Sequence, residues 1–324
     1  MAFRTPLTAL LGIQHPIVLA PMGGAAGGAL AAAVTRAGGL GLIGVGYADE
    51  AFINREFDAA GNTEVGIGFI TWDLAKAPKR LDLALERKPR AVMLSFGDAT
   101  PFVRPIKDSG AALIMQVQNL GMAREAKGLG ADIIIAQGVE AGGHGGGPHT
   151  GRSTLPFVPA AVDAVAPVPV LAAGGIADGR GLAAALALGA AGVLMGTRFI
   201  AAAESLSHAN AKARVAAATG DDTLRTRVFD IGRALDWPEH FTGRAIVNDF
   251  SQRWHGREDA LVAQADAERR RYAEAAAKGD TETMVVFAGE GLDLINAVEP
   301  AAAILERIVA EGEAALARAS AARI

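Results

Sequence analysis

Short runs rich in Val, Ile and Leu alternate with longer amphipathic or alanine-rich segments between Pro16 and Phe199. Short apolar runs are typical of strands buried on both faces, and the longer segments are typical of helices. The predicted strands span residues 16–20, 40–43, 65–70, 91–94, 113–117, 133–136, 168–172 and 192–195. The predicted helices span residues 28–37, 49–59, 74–87, 101–109, 121–129, 155–165 and 178–188, with a last helical stretch after Phe199.

This strict alternation predicts an α/β fold with a parallel sheet and right-handed crossovers. Eight strand-helix units are the number that closes a (β/α)8 TIM barrel, and an open doubly wound sheet is the alternative. The glycines favour the barrel, because they follow the carboxyl ends of predicted strands near residues 23, 138–147, 174 and 196. In a barrel those ends share the one face on which active sites are built.

The alternation stops near residue 212. Residues 259–278 are rich in Ala, Glu and Arg and predict a solvated helix, in which three successive arginines form an exposed face rather than a binding patch. Residues 300–318 predict a strong amphipathic helix. We therefore expect a ligand-binding barrel over 1–212, an inserted, mainly helical lid over 213–299, and a C-terminal helix over 300–324 that returns to the barrel.

Composition narrows the choice of partners. Hydrophobic residues make up 51% of the chain but aromatics only 5%, which suits an aliphatic core of helices on a parallel sheet. The net charge of -4 provides no basic surface for nucleic acid. No long apolar segment or signal sequence is evident, so we expect a cytoplasmic protein without membrane contact. The absence of cysteine excludes disulfides, thiolate metal sites and a Cys nucleophile.

A glycine-rich stretch follows the predicted strand 133–136. Six glycines fall within residues 138–147, and the single histidine among them is His144. A backbone without Cβ atoms lets a flat ligand approach closely. One hypothesis is that this loop holds an aromatic cofactor and that His144 moves a proton beside it; the alternative is a mobile surface loop with a solvated histidine.

Two further strand-glycine turns predict a phosphate site. Gly174 and Gly175 precede Asp178, which is placed to cap the next helix, and Gly196-Thr197 follows the next strand. Glycine turns and helix N-termini direct backbone N–H groups at anions. Each turn alone could be ordinary, but together they reproduce the phosphate site that barrels form after strands seven and eight.

Other motifs predict less. Residues 39–44 match G-x-G-x-x-G, yet they follow a helix and lie within a predicted strand, so we interpret them as a closely packed strand rather than a dinucleotide site. No H-x-x-x-H, H-E-x-x-H or G-x-S-x-G motif occurs, and no metal site is predicted. His15 is interpreted as structural, His149 and Trp72 as possible pocket residues, and the surface or lid histidines are His208, His240 and His255.

The motifs together resemble the nitronate monooxygenases, formerly called 2-nitropropane dioxygenases. The segments that carry the resemblance are Pro16–Val18 with Pro21–Met22, Gln137–His144, Ala173–Gly181 and Met195–Phe199. The resemblance implies an FMN-dependent barrel. The cofactor-binding residues that it implies are Pro21, Met22, Gly23, Gln116, Gln137, Gly142, Gly143, Gly174, Gly175, Gly196 and Thr197.

The same resemblance implies that His144 is the catalytic base for oxidation of a nitronate or nitroalkane by oxygen to a carbonyl compound and nitrite. A neutral imidazole suits abstraction of a proton from a carbon acid. Gln116 stands where some relatives have a lysine, and Gly68 where some have an asparagine, which affects substrate and subclass. The protein is expected to be a monomer or homodimer.

Two alternatives remain open at this stage. One is an NAD(P)H-dependent flavin reductase of quinones or enoyl thioesters on the same scaffold. The other is a flavin-binding module without turnover.

Overall fold

The computed structural model of the chain describes residues 3–147 and 150–322. The strands are β1 (Ile17–Leu19), β2 (Leu42–Gly44), β3 (Gly66–Ile70), β4 (Ala91–Ser95), β5 (Ala112–Val117), β6 (Ile133–Gln137), β7 (Gly143–Gly146), β8 (Val170–Ala173), β9 (Gly192–Met195), β10 (Thr223–Thr226) and β11 (Phe241–Ile246).

The helices of the barrel region are α1 (Pro6–Leu11), α2 (Gly28–Arg36), α3 (Glu50–Ala60), α4 (Thr71–Leu74), α5 (Lys79–Glu86), α6 (Thr100–Asp108), α7 (Leu120–Gly128), α8 (Thr154–Val165), α9 (Gly179–Ala187) and α10 (Thr197–Ile200). Those that follow are α11 (Ala209–Ala217), α12 (Val228–Gly232), α13 (Asp249–Trp254), α14 (Glu258–Ala263), α15 (Ala265–Lys278) and α16 (Ala301–Ala321), with 3-10 turns at Gly220–Asp222 and Leu292–Leu294.

Eight of the strands form one parallel sheet. They lie in the order β1-β9-β8-β6-β5-β4-β3-β2, and a parallel bridge between Val18 and Leu40 brings the two edges together. The predicted (β/α)8 TIM barrel is therefore confirmed. Its interior is filled by aliphatic side chains such as Leu42, Met93 and Ile135, and a larger aliphatic layer separates the sheet from the helices.

Two local features differ from the sequence prediction. The helix expected over 74–87 begins only at Lys79, because Pro78 forms its N-cap, and the short helix α4 precedes it. The unpredicted helix α1 buries Leu7 and Leu11 against the barrel interior. Pro6 at its first turn has no N–H to leave unsatisfied, which favours a helix start at that position.

The G-x-G-x-x-G segment is packed as predicted. Leu42–Gly44 is strand β2, and a Cβ added at Gly41 would lie 1.9 Å from the carbonyl oxygen of Ala31 in α2. The close approach of backbones, rather than phosphate binding, explains the glycine at this position.

Substituting Gly41→Ala is therefore expected to lower the free energy of unfolding by about 3 kcal/mol, because α2 would have to move away from β2. Urea denaturation measures the change. Gly128→Ala is the matched control: its added Cβ meets no heavy atom within 4 Å, and alanine stabilises helix α7 by up to about 1 kcal/mol. Equal stabilities of the two variants would contradict this packing account.

The region between the barrel and the last helix is mainly helical but contains a small sheet. Strands β10 and β11 are antiparallel, and β11 pairs in turn with β7. The glycine-rich segment interpreted from sequence as a loop is thus a strand over residues 143–146, with His144 opposite Gly243. Glycine has low strand propensity, so this strand depends on its tertiary partner β11.

The last helix returns to the barrel. Helix α16 packs against α9 so closely that a Cβ at Gly179 would lie 2.2 Å from the backbone nitrogen of Gly312. The division at residues 212 and 299 stays a prediction. Within the described residues, no helix combines the length and apolar character needed to cross a bilayer.

Candidate functional site

A cavity of about 360 Å³ opens at the carboxyl ends of the barrel strands, beneath the small sheet and its helices. All the residues that the resemblance implied for a cofactor lie in its wall: Pro21, Met22, Gly23, Gln116, Gln137, Gly142, Gly143, Gly174, Gly175, Gly196 and Thr197. His144 lies in the wall with them. The structure therefore brings the sequence motifs together at one place.

The two strand-glycine turns leave donors available. Gly174 and Gly175 have φ values of +109° and +70°, which side-chain-bearing residues rarely adopt. Among the described residues, no hydrogen bond is made by the backbone nitrogens of Gly175 and Thr197. Asp178 caps α9 as predicted, its carboxylate accepting from the nitrogens of Arg180 and Gly181. The turns thus offer the N–H groups that a phosphate requires.

A lid segment closes over these turns. The nitrogen of Gly289 donates to the Thr197 hydroxyl at 3.0 Å, and a Cβ at Gly142 would lie 2.6 Å from Ala288. Glycine at positions 142 and 289 allows this approach, because a Cβ at either position would collide with the backbone of the opposite segment. Residues 288–289 and the barrel thereby enclose the two glycine turns between them.

Three glutamines form a buried network, and two of them, Gln116 and Gln137, line the cavity. The Gln137 carbonyl oxygen accepts from the side-chain nitrogens of Gln116 at 3.2 Å and Gln118 at 2.9 Å. The side-chain nitrogen of Gln137 donates to the backbone carbonyl of His144 at 2.9 Å. This chain of amides fixes the glycine-rich strand relative to the barrel. The buried Gln118 oxygen has no partner within the described residues.

His144 is paired with a carboxylate. Its Nε2 lies 3.0 Å from both carboxylate oxygens of Asp230, which belongs to α12 of the lid. The two side chains are only 7% and 5% exposed, so little water screens the interaction. A carboxylate is an acceptor only, hence Nε2 carries the proton of the neutral ring and Nδ1 carries the lone pair.

Aromatic rings hold the imidazole in place. The Trp237 ring stacks on it with a centroid separation of 3.5 Å and an angle of 4°, and Phe287 lies 5.3 Å away. Gly243, opposite on β11, leaves room: a Cβ there would meet Phe287 at 2.8 Å. The ring therefore has one well-defined orientation in a wall that buries it.

Burial lowers the pKa of His144 below its usual 6.5, while the hydrogen bond and charge of Asp230 oppose that shift. The positive charges of Arg233 and Arg225 add to the lowering. His144 is accordingly neutral at physiological pH and available as a proton acceptor. This is the protonation state that a general base requires.

The lid residues around His144 carry no local sequence signal. Asp230 is 86 residues from His144 in the chain, Arg233 and Trp237 follow Asp230 within seven residues, and Tyr47 follows β2 of the barrel; no motif marks any of them. Burial raises the pKa of Tyr47 to about 12, and its neutral hydroxyl accepts from Trp237 Nε1 at 2.5 Å. Only the folded structure reveals this wall.

The remaining candidates take varied positions. Trp72 packs edge-on against Trp237 and is not in the cavity wall, whereas His208 caps α11 and does line the cavity. His149 lies outside the described residues. No group of metal-ligating side chains occurs within the described part of the chain.

Comparison with known proteins gives a consistent result. A family model described as nitronate monooxygenase matches residues 4–60 and 58–311. The nitronate monooxygenase npaC of Metarhizium robertsii is 32% identical over 329 residues, covering 90% of this chain and 89% of that protein.

Another relative has a different name. The (3aS,4S,5R,7aS)-5-hydroxy-7a-methyl-1-oxo-octahydro-1H-indene-4-carboxyl-CoA dehydrogenase of Mycobacterium tuberculosis is 39% identical over 240 residues. The match covers 71% of this chain and 65% of that protein, slightly less than two thirds of its length. Among solved structures, FabK from Thermotoga maritima has a TM-score of 0.86 at 30% identity, covering 98% of this chain and 99% of the other.

Proposed function

The chain belongs to the nitronate monooxygenase family of flavin-dependent oxidoreductases, and from that premise we propose that it uses FMN to oxidise nitronates and nitroalkanes with molecular oxygen. The products are a carbonyl compound and nitrite. The observation that carries the proposal is the buried pair of His144 and Asp230 in the cavity wall. A carboxylate-oriented, neutral imidazole is suited to remove a proton from a carbon acid.

The cavity suits FMN. The free amides of Gly175 and Thr197 would hold its phosphate, and the backbone at Met22 and Gly23 with the amide of Gln116 would contact its ring system. Bound FMN would supply electron transfer from the nitronate to oxygen. The fit rests on bare backbone where the flat group approaches and on donors left unpaired at the turns.

The protein's own part is proton transfer and exclusion of water. Nδ1 of His144 accepts the proton from the carbon next to the nitro group, and Asp230 stabilises the imidazolium that results. Trp237 and Phe287 exclude solvent from the ring and keep it aligned. A substrate that enters already as a nitronate does not need this step.

Substituting Gly174→Ala is expected to weaken FMN binding at least about tenfold, because the turn at φ +109° would strain and its Cβ would lie 2.9 Å from Thr154 Oγ1. Titration of flavin-free protein with FMN, followed by flavin fluorescence, measures the affinity. Gly189→Ala is the control, since it carries similar strain at φ +90° away from the cavity. Equal FMN affinities in the two variants would place the phosphate elsewhere.

A second candidate function is supported by the likeness to FabK and to the dehydrogenase. On this reading the protein is an NAD(P)H-dependent flavin reductase of quinones or enoyl thioesters. Anaerobic mixing separates the two: rapid flavin reduction by NADH or NADPH supports the reductase, and reduction by a nitronate alone supports the monooxygenase. Bound flavin that neither reduces would indicate a binding module without turnover.

A further inference from the structure

The charge of the cavity wall is one-sided. Of the described residues that line it, none is Asp, Glu or Lys, and Arg233 is the one with a permanent charge. His144, His208 and Tyr47 are the titratable neighbours in the wall. A cavity with a single fixed positive charge favours an anionic ligand.

The guanidinium donors of Arg233 make no hydrogen bond or ion pair within the described residues, unlike those of the neighbouring Arg225. Arg225 donates to the carbonyls of Val139, Ala141 and Thr242, so each of its three side-chain nitrogens makes a hydrogen bond. In contrast, no hydrogen bond or ion pair links the Arg233 side chain to any residue that the structure describes. Asp230, one helical turn earlier, directs both carboxylate oxygens at His144 instead.

An aromatic ring positions Arg233 without occupying its donors. The guanidinium carbon lies 5.6 Å from the centroid of the Tyr47 ring, within range of a cation–π contact. The Tyr47 hydroxyl bonds to Trp237, which is stacked on His144. Arg233 and His144 are therefore linked through Tyr47 and Trp237, and both line the same cavity.

We propose that Arg233 is the residue that selects the substrate by charge, binding the paired oxygens of a nitronate or carboxylate group. The inference rests on the proposed function and specifies its substrate class as anionic. A guanidinium offers parallel N–H donors that match two oxygens on one atom, and both nitronate and carboxylate groups present that arrangement.

The affinity for butyrate, a carboxylate that does not react, tests the binding step without turnover. Butyrate is titrated into the flavin-bound protein, followed by the visible flavin spectrum, and into flavin-free protein, followed by tryptophan fluorescence. In Arg233→Gln the dissociation constant is expected to rise at least about tenfold. Arg233→Lys keeps the charge but loses the parallel N–H donors of the guanidinium. Its dissociation constant for butyrate should therefore lie between those of wild type and Arg233→Gln.

Arg227→Gln is the matched control. Arg227 immediately precedes α12, is paired with Glu239 at the surface, and is not in the cavity wall, so butyrate affinity should change less than about twofold. Thermal unfolding of each variant verifies that the lid is folded. Equal butyrate affinities of wild type and Arg233→Gln would overturn the proposal.

Kinetics then identify which anion is bound. If KM in Arg233→Gln rises alike for ethylnitronate and for a nitronate with a terminal carboxylate, Arg233 binds the reacting group. If it rises only for the second substrate, Arg233 binds the distant carboxylate. If wild type oxidises neither nitronate while butyrate binding still depends on Arg233, the nitronate function fails and the anion site stands. Unchanged KM values for both substrates would contradict the site.

Discussion

Replacing His144 with Asn is expected to slow turnover of nitroethane by about 10²–10⁴-fold, while turnover of preformed ethylnitronate falls less than about tenfold. The nitroalkane must lose a proton before oxidation, and the nitronate has already lost it. Among the described residues that line the cavity, His144 is the only one whose ring is hydrogen-bonded to a carboxylate. We therefore assign the role of base to His144.

Oxygen uptake with each substrate measures kcat/KM for this comparison. His240→Asn is the control, because His240 is an exposed lid histidine outside the cavity wall. It should leave both activities within about twofold of wild type. An equal loss on nitroethane and ethylnitronate in the His144 variant would show that His144 acts in binding or folding rather than as a base.

Replacing Asp230 with Asn is expected to move the acid limb of kcat/KM for nitroethane to lower pH. Protonated His144 cannot accept a proton, so this limb reports its pKa, which burial already holds below 6.5. Asp230 raises that pKa, and removing its charge lowers it further. The plateau should also fall, by about tenfold to a hundredfold, because a weaker base removes the proton more slowly.

The amide introduced at residue 230 has a second effect. Its nitrogen can donate to Nε2 of His144, which favours the tautomer with the proton on Nδ1 and removes the Nδ1 lone pair that the proposed proton transfer requires. Asp236→Asn is the control, since that carboxylate is 91% exposed on the same lid segment. An acid limb that stays in place or moves to higher pH in Asp230→Asn would exclude Asp230 as the partner that sets the basicity of His144.

The barrel was predictable because its signals are local. A short apolar run predicts each buried strand, and each glycine turn lies directly after such a run, as at Gly174 and Gly196. The alternation of elements then fixes the face at which the turns meet. His144 could be singled out for the same reason, since it is the one side chain in a bare stretch of backbone.

The partners of His144 could not be predicted because they come from distant parts of the chain. Asp230 lies within a five-residue helix, and nothing in the residues around it distinguishes it from other lid carboxylates. The strand at 143–146 was missed because its glycines have low strand propensity and its pairing with β11 is long-range. Arg233 was missed because an unpaired guanidinium is recognisable only once its neighbours are known.

The pairing of β7 with β11 also makes His144 depend on residues outside the barrel sheet. The imidazole comes from the barrel side of the cavity, whereas its strand partner, its carboxylate and its stacked indole all come from residues 228–246. Any displacement of residues 228–246 would either carry His144 along or separate it from Asp230 and Trp237. The basicity and orientation of His144 therefore depend on residues 228–246 keeping their place over the barrel.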